Sequence, residues 1–244
     1  MTAIRTIKLE KKYKGKTAVN KIDISIEAGE LFALLGVNGA GKTTTIKMLS
    51  CLISPTSGDA LLLGDSIVSK PYAVKEKINV SPQETAVAPN LTVTENLVLI
   101  AEIYGNDKKT ARIKANEMIS AFRLAEVARD RAKTLSGGMQ RRLSIAMALI
   151  SEPQILFLDE PTLGLDVLAR RELWTAIKEL KGKITIILTT HYMEEAEALS
   201  DRIGIMSNGE LKAVGTPAEL IAKANAKNFE DAFVALASDG GIQE

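Results

Sequence analysis

The chain has few cysteine, histidine or aromatic residues, and each shortage removes a class of function. A single cysteine, Cys51, stands among 244 residues, so no intrachain disulfide can form. No leader of charged, apolar and small segments opens the sequence, and the expected compartment is the cytosol. Aromatic residues make up 4% of the chain, too little for the stacking platform of a single-strand nucleic-acid binder. Basic side chains number 31 against 30 acidic ones, a formal net charge of +1, which leaves no field to gather phosphodiester backbones or anionic lipid. No nucleic-acid partner is expected. One histidine, His191, rules out a metal site built on a histidine cluster. No apolar run approaches the roughly 20 residues that span a bilayer.

What is present is a large apolar fraction, 46%, ample for a buried core in one or two domains. Ile22, Ile24 and Ile26 alternate with Asp23 and Ser25, the period of a strand with one face buried. Leu31 to Leu35, Ile155 to Leu158 and Ile184 to Leu188 are nearly continuous apolar runs, as in strands covered on both faces of a parallel sheet. Helical patterns fall between them, at Gly41 to Leu52 with Ile46 and Leu49 inward, and at Ala169 to Leu180 with Leu173, Trp174 and Ile177 inward. This alternation predicts an α/β fold. From about residue 84 to 152 the pattern is helical only, with helices expected at Thr94 to Tyr104, Ala111 to Leu124 and Gly137 to Ile150. Residues 84–152 are therefore expected to be a helical insertion in an α/β core of residues 1–83 and 153–215. Residues 216–244 read as a helical tail that frays from Gly240-Gly241 onward.

Directly after the first buried run comes Gly36-Val37-Asn38-Gly39-Ala40-Gly41-Lys42-Thr43, which matches G-x-x-x-x-G-K-[ST] at every fixed position between a strand and a helix. Glycines let the backbone turn tightly and aim successive amides at phosphate oxygens, and the following helix adds its positive dipole end. Lys42 suits the β and γ phosphates, and the Thr43 hydroxyl, with Thr44 beside it, suits Mg²⁺ and phosphate. Asn38 and Ala40 either contact the nucleotide or only satisfy the loop. The reading is a P-loop NTPase core, mostly parallel sheet with flanking helices, preceded by an N-terminal antiparallel β subdomain, with ATP and Mg²⁺ as ligands.

Downstream, the Ile155–Leu158 run ends in Asp159-Glu160. Two adjacent acids at the end of a buried strand are costly unless cations or donors meet them. Asp159 fits the acid that holds Mg²⁺, and Glu160 fits the base that orients and deprotonates an attacking water. Between loop and acids lies Leu135-Ser136-Gly137-Gly138-Met139-Gln140. Ser136 can cap the helix that follows, and the glycines leave its first amides uncovered, a second anion site.

This hexapeptide, in order with the two other motifs, resembles the signature of ATP-binding-cassette (ABC) ATPases. The resemblance implies head-to-tail pairing, in which Ser136, Gly137 and Gly138 of one subunit close on ATP held by the phosphate loop of the other, an identical or a different ATPase. It implies further roles. Tyr13 would stack on adenine. Gln83, at the joint of core and insertion, would touch Mg²⁺ and the attacking water. Asp166, in Leu163-Gly164-Leu165-Asp166, would cross the paired interface, and it also suits a helix N-cap. Leu163 and Gly164 depart from the family's common Ser-Ala form. His191 would hydrogen-bond the γ-phosphate.

Asn228-Phe229-Glu230-Asp231-Ala232-Phe233 is similar to the Asn-Leu-Glu-Asp-x-Phe ending of exporter ATPases, and also reads as an amphipathic helix packed by Phe229 and Phe233. The resemblance therefore implies an ATP-hydrolysing subunit that powers export through a separate transmembrane permease, docked through the Thr92–Asn96 region on the inner face of the membrane. A soluble cassette ATPase of the iron-sulfur assembly kind is the alternative.

Overall fold

The computed structural model describes residues 1–238 of the chain. From the N-terminus come β1 (Thr2–Tyr13), β2 (Lys16–Ile22), β3 (Ser25–Glu27), β4 (Leu31–Leu35), α1 (Lys42–Leu49), β5 (Ser57–Leu62) and β6 (Asp65–Ser66). Next are α2 (Pro71–Lys75), β7 (Ile78–Ser81), α3 (Val93–Ile103), α4 (Lys108–Ala121), α5 (Gly137–Leu149) and β8 (Ile155–Asp159). The chain continues through α6 (Val167–Lys178), β9 (Thr185–Thr190), α7 (Met193–Leu199), β10 (Arg202–Ser207), β11 (Glu210–Gly215), α8 (Pro217–Ala224) and α9 (Phe229–Ala237).

Two sheets form. A 5-stranded antiparallel sheet has the order β2-β1-β5-β6 with β3 beside β1, and a 6-stranded sheet has the order β11-β10-β4-β9-β8-β7. In the second, β10, β4, β9, β8 and β7 run parallel and only β11 is antiparallel. The α/β expectation is met, with the antiparallel sheet at the N-terminal end.

The apolar runs are continuous because successive residues enter different cores. Along β8, Leu156 and Leu158 face the helices between β7 and β8, whereas Ile155 and Phe157 face the antiparallel sheet and α1. β9 repeats this, with Ile186 and Leu188 on one side and Ile187 on the other. In β4, Leu31 joins the first core, Phe32 and Leu34 the second, and Ala33 and Leu35 a third that is closed by α7, β10 and α9 through Ala196, Ile203 and Phe229.

Several boundaries differ from expectation. The Ile22–Ile26 alternation does not form one strand. It is split between β2 and β3, because Asp23 turns its carboxylate onto the Lys8 amide at 2.7 Å and the Ile24 amide donates to the Thr6 hydroxyl at 2.7 Å. α1 stops at Leu49, where Cys51 takes a left-handed backbone, φ 56°. Within Thr92–Asn96, Val93 and Asn96 are fully buried, and the Asn96 amide donates to the carbonyls of Ala88, Leu91 and Thr92. Those two side chains are interior staples, not a docking face. The residues from Gly240 onward lie outside the described region.

Phe157 is fully buried at the centre of β8. Phe157→Ala is expected to cost about 3–5 kcal/mol of unfolding free energy, read by urea denaturation through the fluorescence of Trp174, the chain's only tryptophan. A loss below about 1 kcal/mol would mean that the strand is not packed on both faces.

Candidate active site

Four neighbouring strands of the parallel sheet end on one edge, and the chemistry-bearing residues follow their C-terminal ends, the usual ligand edge of an open α/β sheet. β4 leads into the glycine loop, β7 into Gln83, β8 into Asp159 and Glu160, and β9 into His191. In the loop, Gly41 has φ 105°, and a Cβ there would sit 2.5 Å from the Ala18 carbonyl oxygen, so no other residue fits. Gly41 is also the N-cap of α1 and carries no side-chain cap. The first amides of the helix are thereby left uncovered for an anion.

Lys42 is buried, and its ammonium donates to the Gly36 and Val37 carbonyls at 2.6 and 3.2 Å. The same Nζ lies 3.2 Å from Glu160 Oε1, and Glu160 Oε2 lies 2.5 Å from His191 Nδ1. The Glu160 carboxylate is therefore held between the loop lysine and the histidine after β9. Its backbone is left-handed, φ 49°, and its amide donates to both the carbonyl and the hydroxyl of Thr189, at 3.1 and 3.0 Å.

Asp159 sits beneath. Its Oδ1 accepts from Thr43 Oγ1 at 3.0 Å and from Thr189 Oγ1 at 2.5 Å. Hydroxyl, carboxylate and carboxamide oxygens from Thr43, Asp159 and Gln83 are the hard donors that Mg²⁺ takes, and they fit it. Among the described residues no group of three or more His, Cys, Asp or Glu side chains is placed to hold a metal. A divalent ion here would complete its shell with substrate oxygens and water.

A cleft of about 520 Å³ opens above these groups, lined by Tyr13, Lys16, Ala18, residues 38–44, Gln83, Glu160, Leu163 and His191. Tyr13 is half exposed on its rim, with Lys11 Nζ 5.4 Å from the ring centroid. Gly36 and Asp159 lie outside the lining, the first contributing its carbonyl to Lys42 and the second its link to Thr43. The cleft does not include Ser136, Gly137, Gly138 or Asp166. Ser136 caps α5 through the Met139 amide at 3.3 Å, and Asp166 caps α6 through the Leu168 and Ala169 amides, both at 2.9 Å.

Sequence reasoning missed Thr189, although its place one residue after the apolar run and two before His191 marks it. It also missed Glu195. This glutamate is fully buried on α7, and its Oε1 accepts from Trp174 Nε1 at 3.0 Å. Burial raises its pKa; the nearby Thr190 and Thr162 hydroxyls and the indole pull it back in part. Glu195 Oε2 and Thr162 Oγ1 nonetheless make no hydrogen bond.

The chain matches the model of the ABC transporter family over residues 19–163. It is 44% identical over 220 residues to the daunorubicin/doxorubicin resistance ATP-binding protein of Streptomyces peucetius, covering 89% of this chain and 66% of that one. It is 41% identical to the Nod factor export ATP-binding protein of Burkholderia orbicola, covering 87% of this chain and 70% of that one. The chain thus spans about two thirds of the length of these relatives. Among solved structures, the dimeric post-hydrolysis state of an ATP-binding cassette bound to ADP and Pi superimposes with a TM-score of 0.79 at 26% identity, over 87% of this chain and 98% of that one.

The raised carboxyl of Glu195 sets a pH signature. Well below its ordinary value of 4.5 the group is neutral in both the folded and the unfolded chain. As pH rises, the unfolded chain releases this proton first and the folded state loses stability until the raised value is passed. Glu195→Gln removes that titration. Denaturation at a series of pH values should show the variant gaining on the wild type as pH climbs above 4.5; a difference that stays constant would contradict the buried, proton-holding carboxyl.

Proposed function

Because the chain belongs to the ABC transporter family, we propose that it is the ATP-binding and ATP-hydrolysing subunit of a transporter whose permease is a separate membrane protein. The observation that carries this reading is the single cleft that joins the glycine loop, Lys42, Glu160, His191 and Gln83. In it the loop amides and the start of α1 receive the phosphates. Lys42 turns from its own loop's carbonyls toward the β and γ oxygens, a small rotation of a long side chain. That movement weakens its pairing with Glu160 and leaves the carboxylate free to take a proton from water. His191, now 2.5 Å from Glu160, hydrogen-bonds the γ-phosphate, and Gln83 orients the attacking water. Tyr13 offers its exposed face to the adenine. Thr43, Asp159 and Gln83 would hold Mg²⁺, which would supply charge neutralisation on the phosphate oxygens.

Two sets of residues, each suited to an anion, lie apart in one chain, and this favours a second copy or a related ATPase placed head to tail. Ser136, Gly137 and Gly138 at the exposed start of α5 would then close on the partner's nucleotide, with Asp166 beside them. The dimeric ADP-bound cassette supports that arrangement. Among the described residues no helix is long and apolar enough to cross a membrane. The permease would dock on the helices between β7 and β8, where Thr94, Glu95 and the exposed Leu99, Ile103 and Tyr104 replace the buried Val93 and Asn96 as the contact face. That contact would hold the subunit on the inner face of the membrane. Relatives named for drug resistance and export favour outward transport over soluble assembly.

Glu160→Gln should lower turnover by ~10²–10⁴ while ATP affinity stays nearly intact. Lys42→Ala should instead abolish the heat of Mg-ATP binding in calorimetry. Unchanged hydrolysis in the first variant, or unchanged binding in the second, would remove the proposed site.

A further inference from the structure

One buried cation takes no part in the chemistry above. Arg141 lies one turn into α5 and is 4% exposed. A guanidinium carries five N–H donors, and here each is used on a backbone carbonyl. Nε donates to Pro161 at 2.8 Å, one terminal nitrogen to Pro82 and to Gln83, the latter at 3.2 Å, and the other to Asp159 at 2.8 Å and Glu160 at 3.0 Å. No carboxylate of the described residues forms an ion pair with it. Buried arginines ordinarily find a carboxylate. Burial lowers its pKa to about 10, with Asp159 and Glu195 supporting the charge from a distance, so it remains a cation at neutral pH.

The acceptors fall in two places. Pro82 and Gln83 belong to the loop after β7, and Asp159, Glu160 and Pro161 to the turn after β8. Glu160 is left-handed, φ 49°, a backbone that L side chains disfavour, and Arg141 grips the carbonyls before it, at it and after it. The helix that supplies the arginine is the one capped by Ser136 and begun by Gly137.

We propose that Arg141 is a positioning residue for hydrolysis, a strut that fastens the Gln83 loop and the Glu160 turn to the helix headed by Ser136-Gly137-Gly138. A change in the orientation of α5 would then move the water-orienting glutamine and the base together. This inference rests on the reading of the cleft as an ATPase site. Its geometric part is testable without turnover.

Lysine keeps the charge but concentrates three donors at one point, and it cannot span both loops. Arg141→Lys and Arg141→Met are therefore compared with the wild type after thermal melts confirm folding. In nucleotide-free protein, amide hydrogen exchange at residues 83–85 and 160–163 should quicken by about tenfold or more in both variants, with residues 42–49 unchanged. In turnover, kcat per folded molecule should fall by roughly tenfold to a hundredfold in both, with KM within about threefold, as expected when reacting groups are misplaced and not removed. Wild-type exchange at both segments in a folded variant would overturn the strut, as would Arg141→Lys turning over like the wild type. Loss of hydrolysis in the wild type itself would count against the ATPase reading alone, since the exchange experiment decides the placement separately.

Discussion

A carboxylate withdrawn from water costs several kcal/mol unless cations and donors replace its hydration, and β8 ends in two of them. Asp159 and Glu160 are both buried, and neither is satisfied by its own strand. Asp159 depends on the Thr43 and Thr189 hydroxyls, and Glu160 on Lys42 and His191. Those partners lie at the end of β9 and just beyond β4 and β9. The order β4-β9-β8 is what brings them within reach, so the topology of the sheet and the solvation of two acids are one constraint. A sequence that buries this pair without that strand order would leave charges uncompensated.

The partners also set what the site can do. Lys42 already neutralises a carboxylate and donates to two carbonyls, and in the proposed reading these oxygens stand where phosphate oxygens would be: the same donors fit either. Preorganisation of this kind lowers the reorganisation that substrate binding demands. Arg141 extends the same logic into the backbone, since its five bonds fix the path of the chain around Glu160 without touching the reacting atoms.

Much of the fold was legible because apolar runs record burial on two faces. The Leu31–Leu35 and Ile155–Leu158 runs became members of one parallel sheet with the Ile184–Leu188 run between them, in the expected class of fold, and the glycine loop declared itself by spacing. Other elements were silent for physical reasons. β1, with Lys11, Lys12 and Tyr13 at its end, alternates irregularly because it shifts register against both β2 and β5. The Asp23 break in the isoleucine alternation is a side-chain bond to Lys8, 15 residues away in sequence, which no local window contains. Arg141 looked like one more basic residue on a helix. Its position four and seven residues before Ile145 and Ala148, both buried, placed it on the inward face, and a charge on an inward stripe was the available sign. Thr189 and Glu195 gave less, since their partners Asp159 and Trp174 are distant in sequence.

Close packing continues outside the cleft. A Cβ on Gly138 would meet the Ala169 methyl at 2.8 Å, so α5 can lie against the start of α6 only with glycine at that position. β4 is tied more tightly still, its five residues being divided among all three hydrophobic cores. A rigid displacement of that strand would disturb every packed layer at once, whereas α3 and α4 contribute buried side chains to one layer only. The glycine loop is thus mounted on the stiffest member of the frame and behaves as its fixed datum. Divergence within such a lineage has freedom to reshape the helices of the single layer, and very little to relocate the glycine loop proposed to cradle the phosphates.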